Sequence, residues 1–391
     1  MRKGSPGTVL CLNGGSSSLK FAAYAVGGAE PRALARGGVE RIGSPNAVFH
    51  VQAEDRSPRR EERCDARDMR AVVPLVFAAL TRLGIELDAA GHRIVHGGPD
   101  HLQPERIDGA LIASLRDAVP FAPLHLPGEL ALIEDVRKQN PTLPQVACFD
   151  TAFHARMPLL ARRLALPSFL WAEGVRRYGF HGLSYESIVH TLGPRICGRV
   201  IVAHLGNGAS MVALADGEPL DTTMSFTPCG GLVMGTRAGD LDPGVVVYLA
   251  RTRGMDALAL EELLNRQSGL LALSETSSDM QALLAARTSD ARAELAIAVF
   301  CYNARKWIGA LSAVLGGLDT LVFTGGIGEN SAPIREEICR DLSFLGIDLD
   351  PARNARSEPV ITADGSPTTV RVIPTDEESV VARHTAQLIF T

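Results

Sequence analysis

Four side chains in this sequence have the chemistry to bind and transfer an anionic group. Arg93 lies in a short β-branched run that ends in two glycines, and Arg237 has a glycine two residues away on either side. Asp150 ends an apolar run that predicts a strand, and His181 directly precedes a glycine. Arginine binds planar anions through paired N–H donors. A carboxylate at the carboxyl end of a buried strand lies where α/β proteins hold their ligands. These residues indicate a site for a negatively charged substrate.

Three glycine-rich turns have the composition of phosphate-binding loops. Residues 200–214 form two apolar runs around a Gly-Asn-Gly turn, which predicts a β-hairpin. Residues 8–24 form a partial twin, and superposing the two segments brings Ser18 onto Ser210. Residues 324–331 form a third turn, placed between a predicted strand and a predicted helix. Such turns let backbone N–H groups approach an anion closely. The twin hairpins predict a duplicated architecture with a nucleotide held between the two copies.

Each of these signals also has a purely structural interpretation. Asn-Gly is the standard hairpin turn, and residues 324–331 could be a tight strand-to-helix connection. Asp150 could cap a helix, Arg93 could be solvated on an edge strand, and a lone histidine such as His181 is often structural. Only the combination favours a catalytic site.

The combination is the set of groups that phosphoryl transfer requires. That reaction needs backbone cradles for phosphates, oxygen ligands for Mg²⁺ and cations that face the transferring group. The arginines favour an acceptor that is itself anionic, such as a carboxylate. The sequence contains neither a Cys-x-x-Cys pair nor a Gly-x-Ser-x-Gly elbow, which argues against a zinc site and against a hydrolase nucleophile.

Composition limits the class of protein. A hydrophobic fraction of 46% and a charged fraction of 21% are ordinary for a globular protein. A net charge of −5 argues against nucleic acid as a partner. The length of 391 residues predicts two domains. No apolar run reaches about 18 residues, so neither a membrane span nor a signal peptide is expected, and the cytoplasm is the expected location.

The elements that must position these side chains follow from periodicity and turn residues. Helices are predicted over residues 71–83 and 291–315, and a strand over residues 320–323. Thr375 and Glu378 match a capping box at the start of a C-terminal helix. Strands dominate early and alternate with helices later, which predicts an α/β protein with a sheet in each half.

The whole chain resembles the acetate kinases, and also the propionate kinases, of the superfamily that contains sugar kinases, actin and Hsp70. Five segments carry the resemblance in order and spacing: residues 13–21, 149–154, 178–182, 234–237 and 326–330. The resemblance implies two domains of a duplicated ribonuclease H-like (actin-like ATPase) fold, with mixed sheets flanked by helices and the active site in the cleft between the domains. It implies a first domain of residues 1–149, joined by a C-terminal helix at 378–391, and a second domain of residues 150–377.

The resemblance also implies roles for individual residues. The implied catalytic residues are Asp150, His181 and Arg237. The implied acyl-binding residues are Arg93, Val95, Leu124, Phe180 and Pro228. The residues implied to bind the nucleotide are Lys20, His204, Leu205, Gly206, Asn207, Gly208, Asp279, Met280, Gln281, Gly326, Ile327, Gly328, Glu329 and Asn330. Asn13 and Glu377 are implied to associate with Mg²⁺, for which Mn²⁺ could substitute. Strand alternation agrees in placing Arg93 and Val95 on one face, one for a carboxylate and one for its alkyl end.

The implied reaction is the reversible, Mg²⁺-dependent transfer of the ATP γ-phosphoryl group to acetate, which gives acetyl phosphate and ADP. Propionate or another short-chain acid is the alternative acceptor, and a homodimer is the implied assembly. One rival is a kinase of the same fold with a hydroxyl acceptor, which would need a carboxylate base and a polar pocket. A second rival is an actin- or chaperone-like ATPase that works as a binding module, where a chaperone would need a separate substrate domain. A third is a family member that has lost activity, against which the presence of Asp150, His181 and Arg237 argues.

The sequence departs from the usual family pattern at several positions. The family commonly has Asn where this chain has Leu126, Thr and His where it has Leu183 and Tyr185, Arg where it has Gln281, and a bulkier acidic pair where it has Cys229-Gly230. These departures bear on nucleotide affinity and acyl-chain preference rather than on the reaction itself.

Overall fold

A computed structural model of the chain describes residues 7–15, 17–54 and 59–391. Ser16 of the first glycine-rich turn and residues 1–6 of the predicted first domain lie outside the described residues. Contacts divide the chain into two units, the first ending at Ala155 and including Asp376–Thr391, the second being Arg156–Thr375. The sequence-based division placed the boundaries at 149/150 and 377/378. The contacts therefore assign Asp150 and Glu377 to the first unit.

The first unit is built on an eight-stranded mixed sheet with the strand order β5-β4-β3-β2-β1-β6-β8-β7. Its strands are β1 (Gly7–Gly14), β2 (Ser18–Val26), β3 (Arg32–Glu40), β4 (Val48–Ala53), β5 (Arg60–Arg63), β6 (Ala89–Ile94), β7 (Glu105–Arg106) and β8 (Gln145–Phe149). Its α-helices are α1 (Met69–Arg82), α2 (Gly109–Asp117), α3 (Leu126–Gln139) and α15 (Glu377–Phe390), and a 3-10 helix spans Val119–Phe121.

Helices cover this sheet and bury its apolar side chains. Leu10 and Leu12 of β1 share a core cluster with residues of α1 and α3. The C-terminal helix α15 packs against β1, β2, β6 and β8. Gly91 of β6 permits that packing, because a Cβ there would lie 2.3 Å from Thr385 Oγ1 and 2.5 Å from Val381 Cγ1. The helix therefore reaches the strands whose ends carry the candidate site.

The second unit is built on a five-stranded mixed sheet with the order β11-β10-β9-β12-β13. Its strands are β9 (Arg199–Leu205), β10 (Ala209–Ala215), β11 (Glu218–Thr222), β12 (Thr320–Thr324) and β13 (Thr369–Val372). Its α-helices are α4 (Leu159–Arg162), α5 (Ser168–Ala172), α6 (Gly182–Leu192), α7 (Pro243–Arg253), α8 (Ala257–Arg266), α9 (Gly269–Ser274), α10 (Met280–Ala286), α11 (Ala291–Leu315), α12 (Gly325–Asn330), α13 (Ala332–Cys339) and α14 (Pro351–Ala355). Further 3-10 helices span Gly193–Ile196 and Ser343–Leu345, and another, Phe153–Arg156, crosses the boundary between the units.

The two sheets share one strand arrangement, which confirms the predicted duplication. In the first sheet, β1 pairs antiparallel with β2 and parallel with β6, which pairs parallel with β8. In the second, β9 pairs antiparallel with β10 and parallel with β12, which pairs parallel with β13. In both, a third antiparallel strand, β3 or β11, follows the hairpin. Each sheet therefore begins with a hairpin and continues with parallel strands, which confirms the α/β fold class.

Local predictions differ in how they compare with the structure. The helix predicted at 291–315 is confirmed as α11, which ends at Gly316 in a left-handed conformation. The helix predicted at 71–83 is found as α1. The predicted capping box is wrong, because Asp376 caps α15 by accepting a hydrogen bond from the Ser379 N–H, and the helix begins at Glu377 rather than at residue 378.

The third glycine-rich turn is also corrected. Residues Gly325–Asn330 form the short helix α12 directly after strand β12, where the sequence predicted a loop. Gly325 has φ +78°, and a Cβ there would lie 2.8 Å from the Leu205 carbonyl oxygen. Glycine is therefore required at the helix start, because the chain turns sharply against β9. None of the helices in the described residues combines the length and the apolar composition needed to cross a membrane.

Candidate active site

In the first unit, three predicted residues meet where three neighbouring parallel strands end. Asn13 lies near the end of β1, Arg93 near the end of β6, and Asp150 directly follows β8. Arg93 donates from Nε to both Asp150 oxygens at 3.2 and 3.1 Å, from Nη2 to Asp150 Oδ2 at 2.5 Å, and from Nη1 to Asn13 Oδ1 at 2.9 Å. Asp150 is 1% exposed, so this pair is a buried, charge-assisted contact.

Glu377 of α15 completes this cluster. Its Oε2 accepts a hydrogen bond from Asn13 Nδ2 at 3.2 Å and lies 3.6 Å from Arg93 Nε. Burial raises the pKa of Glu377 to about 7, with Arg93 opposing the rise and Asp150 adding to it. Burial alone would lower the pKa of Arg93, but Asp150 and Glu377 raise it above its ordinary value. Arg93 therefore stays a cation, and a carboxylate substrate would have to share it with these acids.

Glu129 is a residue of this region that the sequence interpretation missed. It lies in the first turn of α3, is 4% exposed, and both its carboxyl oxygens accept from the Val95 N–H at 3.2 Å. Burial raises its pKa to about 8, against the opposing influence of Arg93 and the Val95 N–H. A signal was available, because helical spacing places Glu129 on the same face as Leu126, Leu130 and Ile133. A glutamate on a core face usually has a specific partner.

Other predicted residues of the first unit lie nearby in the fold. Val95 is buried directly after β6, and Leu124 is half-buried just before α3. Lys20 lies on β2, paired across the hairpin with Asn13, and is exposed. Leu124 and His125 lie in a short connection, and α3 begins at Leu126.

The donor set of this cluster suits a hard divalent cation. Among the described residues, no group of three or more His, Cys, Asp and Glu side chains is placed to hold a metal ion. Mg²⁺ usually relies on one or two carboxylates together with water and substrate phosphates. Asp150 and Glu377 offer carboxylate oxygens, and Asn13 offers an amide oxygen. Oxygen ligands fit Mg²⁺ or Mn²⁺ better than a softer metal.

In the second unit, two predicted histidines stack against each other. The rings of His181 and His204 have centroids 4.3 Å apart and an interplanar angle of 25°. Nδ1 of His181 is 2.8 Å from Ser210 Oγ, and Nδ1 of His204 is 2.8 Å from Ser184 Oγ. His181 has φ 57°, a left-handed conformation that is uncommon outside glycine and that often marks a functional position. It occupies the N-cap position of α6, where extended backbone is more usual.

Arg237 and His181 converge on the tip of the β9–β10 hairpin. A Cβ placed on Gly208 would lie 3.3 Å from His181 Nε2 and 3.6 Å from Arg237 Nη1. Arg237 Nη1 also donates to the Pro228 carbonyl at 3.1 Å. The Asn207 carbonyl accepts from the Gly235 N–H at 3.0 Å, which holds the Arg237 loop to the hairpin. The two cationic or hydrogen-bonding side chains therefore face a stretch of bare backbone.

The predicted nucleotide segment 326–330 lies in α12 and is anchored by its own glutamate. Glu329 Oε1 accepts from the Gly325 N–H at 2.8 Å and from the Thr375 N–H at 3.1 Å. Arg335, which is fully buried, donates to the carbonyls of Gly328 at 2.8 Å and Glu329 at 3.0 Å. Gly326 and Asn330 remain exposed while Ile327 is half-buried. The helix thus presents exposed polar and backbone groups from a fixed position.

The remaining predicted positions are divided between buried residues and residues that are partly or fully exposed. Leu205, Phe180 and Pro228 are buried, whereas Gly206 is half-buried and Asn207 is exposed. In the segment 279–281, Asp279 and Gln281 are exposed and Met280 is 3% exposed in the core. The Asp279 carboxylate caps α10 by accepting from the Gln281 N–H at 2.9 Å. Of these three residues, the two exposed ones are therefore the better candidates for a ligand contact through side chains.

Ser210 and Tyr185 are further residues without a predicted role. The Tyr185 hydroxyl forms a short hydrogen bond with Ser210 Oγ, which also contacts His181. The alignment of Ser210 with Ser18 was a sequence signal for the serine. Its contact with Tyr185 joins residues 25 positions apart on different elements, so no local pattern predicts it.

Known proteins resemble this chain along nearly its whole length. A sequence model of the Acetokinase family matches residues 8–383. The acetate kinase of Rhizobium meliloti is 44% identical over 389 residues, which is 97% of this chain and 98% of that protein. The crystal structure of the Porphyromonas gingivalis acetate kinase matches with a TM-score of 0.85 and 38% identity, over 98% of this chain and 99% of that chain.

A propionate kinase structure from Francisella tularensis matches with a TM-score of 0.90 and 35% identity, over 97% of this chain and 99% of that chain. The similarity therefore extends to proteins named for either acid. With a family match that spans both units and identities above 40% over nearly full length, the chain belongs to the acetokinase family.

Proposed function

We propose that the protein catalyses the reversible transfer of the γ-phosphoryl group of ATP to acetate, giving acetyl phosphate and ADP. The observation that carries the proposal is the convergence of His181 Nε2 and Arg237 Nη1 on the backbone of Gly208. Two side chains that can donate hydrogen bonds, aimed at bare backbone in a hairpin tip, suit the equatorial oxygens of a phosphoryl group in transfer.

The acceptor is proposed to be a carboxylate bound by Arg93. Arginine matches a carboxylate with two parallel N–H donors, and Arg93 is held at a strand end by Asn13 and Asp150. Val95, Leu124, Phe180 and Pro228 are proposed as the apolar wall around the acyl group. Propionate is the alternative acceptor, favoured by the similarity to a propionate kinase structure.

The proposed step needs no strong general base. Acetate is ionised at neutral pH, so its oxygen attacks phosphorus directly while the bond to the ADP oxygen breaks and its electrons leave with ADP. The enzyme contributes positioning and charge. Arg93 orients the acceptor, His181 and Arg237 stabilise the transferring group, and Asp150 orients Arg93 through its hydrogen bonds. The hairpin tip and α12, with Lys20, Asp279 and Gln281, are proposed to bind the nucleotide.

A divalent cation is part of the proposal. Asn13 and Glu377, with Asp150 beside them, would hold Mg²⁺, or Mn²⁺ in its place, and the oxygen-only chemistry of their ligands supports this choice. When bound, such an ion neutralises phosphate charge. The residues themselves keep Arg93 oriented through the hydrogen bonds described above.

A homodimer is proposed as the assembly. Helices α7 and α8 contain no buried residue, and the side chains of Val247, Tyr248 and Leu258 are 48%, 60% and 75% exposed. Exposed apolar residues on adjacent helices are typical of a protein–protein interface. We further propose that each unit is one actin-like domain and that the protein works in the cytoplasm, where ATP is supplied.

The proposed reaction is tested by incubating the protein with ATP, Mg²⁺ and acetate, propionate or butyrate, with hydroxylamine to trap acyl phosphate as the hydroxamate. We expect hydroxamate from acetate, with less from the longer acids. Omission of the acid serves as the control for simple ATP hydrolysis. If ATP is consumed equally without any acid and no hydroxamate forms, the protein is an ATPase and the proposal is wrong.

A further inference from the structure

A buried chain of hydroxyl groups leads to His181. The Tyr185 hydroxyl hydrogen-bonds Ser210 Oγ, and Ser210 Oγ lies 2.8 Å from His181 Nδ1. Tyr185 and Ser210 are both 0% exposed. Tyr185 lies one helical turn after His181, and its N–H donates to the His181 carbonyl at 3.1 Å. Both ends of the chain are therefore held by the first turn of α6, and Ser210 of β10 bridges them.

The direction of this chain depends on which hydroxyl donates to the other. A serine and a tyrosine hydroxyl each carry one hydrogen and can also accept. Either hydroxyl could donate in this contact, and because a phenol is the stronger donor of the two, we assign the donor role to Tyr185. The Ser210 hydrogen is then left for His181 Nδ1, which accepts it. A neutral imidazole that accepts at Nδ1 carries its own hydrogen on Nε2.

The stacked partner ring disfavours a state in which His181 and His204 are both charged. The His204 ring lies 4.3 Å away, and two imidazolium ions at that separation would repel each other. His204 has a similar arrangement, since Thr375 Oγ1 donates to Ser184 Oγ at 2.9 Å and Ser184 Oγ lies 2.8 Å from His204 Nδ1. Each ring thus has a serine hydroxyl at Nδ1. Ser184 accepts a hydrogen bond from Thr375, and Ser210 can accept one from Tyr185.

We propose that Tyr185 is a positioning residue which, through Ser210, keeps the hydrogen of His181 on Nε2. That atom lies 3.3 Å from the place of a Cβ on Gly208, on the side shared with Arg237. Under the proposed function, on which this role in catalysis rests, the Nε2–H donates to an oxygen of the transferring phosphoryl group.

Tyr185→Phe tests the inference, because it removes only the hydroxyl and preserves the ring that packs in the core. Tyr178→Phe is the matched control: Tyr178 is also buried in the second unit, but its hydroxyl donates to the Gly174 carbonyl at 2.7 Å, outside the chain to His181. Melting temperatures of both variants establish that they fold. Ser210→Ala, which removes the bridging hydroxyl, should reproduce the effect of Tyr185→Phe.

The first readout is the ring ¹⁵N NMR spectrum of the full-length protein labelled at histidine, with His181→Gln used to assign the signals. We expect wild-type His181 to show a protonated Nε2 and an unprotonated Nδ1 at pH 7.5, and Tyr185→Phe to show a mixture of the two tautomers. The second readout is the acyl hydroxamate assay. Tyr185→Phe should lower kcat about tenfold, the loss typical of a misdirected hydrogen bond to charge, with KM for ATP within about twofold of wild type.

Wild-type His181 protonated at Nδ1, or as an imidazolium, would overturn the inference. So would a Tyr185→Phe spectrum identical to that of the wild type. A loss of activity in Tyr178→Phe equal to that in Tyr185→Phe would mean that the tyrosine hydroxyls act through general stability instead. The NMR experiment does not depend on turnover. If the protein formed no acyl phosphate, the proposed function would be wrong, but the spectrum would still show which nitrogen of His181 carries the hydrogen.

Discussion

Arg93 and Asp150 form a buried pair in which one guanidinium donates to both carboxylate oxygens, with Nη2 to Oδ2 the shortest contact at 2.5 Å. The pair joins the ends of the adjacent parallel strands β6 and β8. Its geometry fixes the plane of the guanidinium before any substrate arrives. A carboxylate substrate would then meet an oriented arginine, which lowers the entropic cost of binding.

Arg93→Ala should lower kcat/KM for acetate by at least about 100-fold, because it removes the anion partner and leaves the Asp150 carboxylate buried without its cation. Arg93→Lys should recover little, since an ammonium group lacks the planar fork. Steady-state kinetics at varied acetate measure both. Arg116→Ala is the control, as Arg116 is an exposed arginine that pairs with Glu134. An Arg93→Lys variant with wild-type kcat/KM would contradict the proposed role.

Arg237→Ala should lower kcat by about 10²–10³-fold, the range for the loss of one preorganised donor to a transition state. KM for ATP should stay within about threefold, because the backbone of the hairpin tip and α12 would still bind the nucleotide without this side chain. The measurement is initial rate at saturating acetate and varied ATP. Arg356→Ala serves as control, since Arg356 is an exposed arginine of the second unit that pairs with Glu358 at 2.8 Å. An unchanged kcat would remove Arg237 from the proposed catalytic group.

Gly208→Ala should lower kcat about tenfold with little change in stability. The added methyl would lie 3.3 Å from His181 Nε2 and 3.6 Å from Arg237 Nη1, in the space proposed for the phosphoryl group. Gly309→Ala in α11 is the matched control, because no atom lies within 4 Å of the added methyl, and it should stabilise the helix by about 0.5–1 kcal/mol. Rates and urea unfolding curves measure both. Equal activity of the two variants would mean that the space beside Gly208 does not hold the phosphoryl group during catalysis.

Glu129 should make stability depend on pH. Burial raises its pKa from the ordinary value of 4.5 to about 8, so the folded state retains a proton that the unfolded chain releases. The stabilisation from this group is complete below pH 4.5 and is lost as the pH rises through about 8. Glu377, whose pKa is about 7, acts in the same direction.

Glu129→Gln keeps an acceptor for the Val95 N–H but cannot ionise. The free energy of unfolding of this variant relative to wild type should therefore increase by at least about 1.4 kcal/mol between pH 5 and pH 8, the equivalent of one unit of pKa difference. Urea unfolding at several pH values measures it. Asp135→Asn is the control, as Asp135 lies on the same helix and pairs with Lys138 at 2.8 Å. A difference that stays constant over this range would contradict the assignment.

The sequence by itself determined the local elements of this protein. Both hairpins follow from alternating apolar residues around glycine turns, and α11 follows from its apolar periodicity and Gly316. These patterns are set by neighbours a few residues apart, so they can be read without the fold. The positions of Arg93 and Asp150 at strand ends follow in the same way. Most of the other candidate residues were predicted from the resemblance to the family.

The tertiary structure alone decided which side chains meet. Glu129 reaches Val95 across 34 positions, Asn13 reaches Glu377 across 364, and Tyr185 reaches Ser210 from another element. Such contacts have no period in the sequence, because they depend on how strands and helices pack. The same is true of α12, where contact with β9 turns a predicted glycine loop into a helix. Local physics therefore placed the residues on their elements, and packing determined their partners.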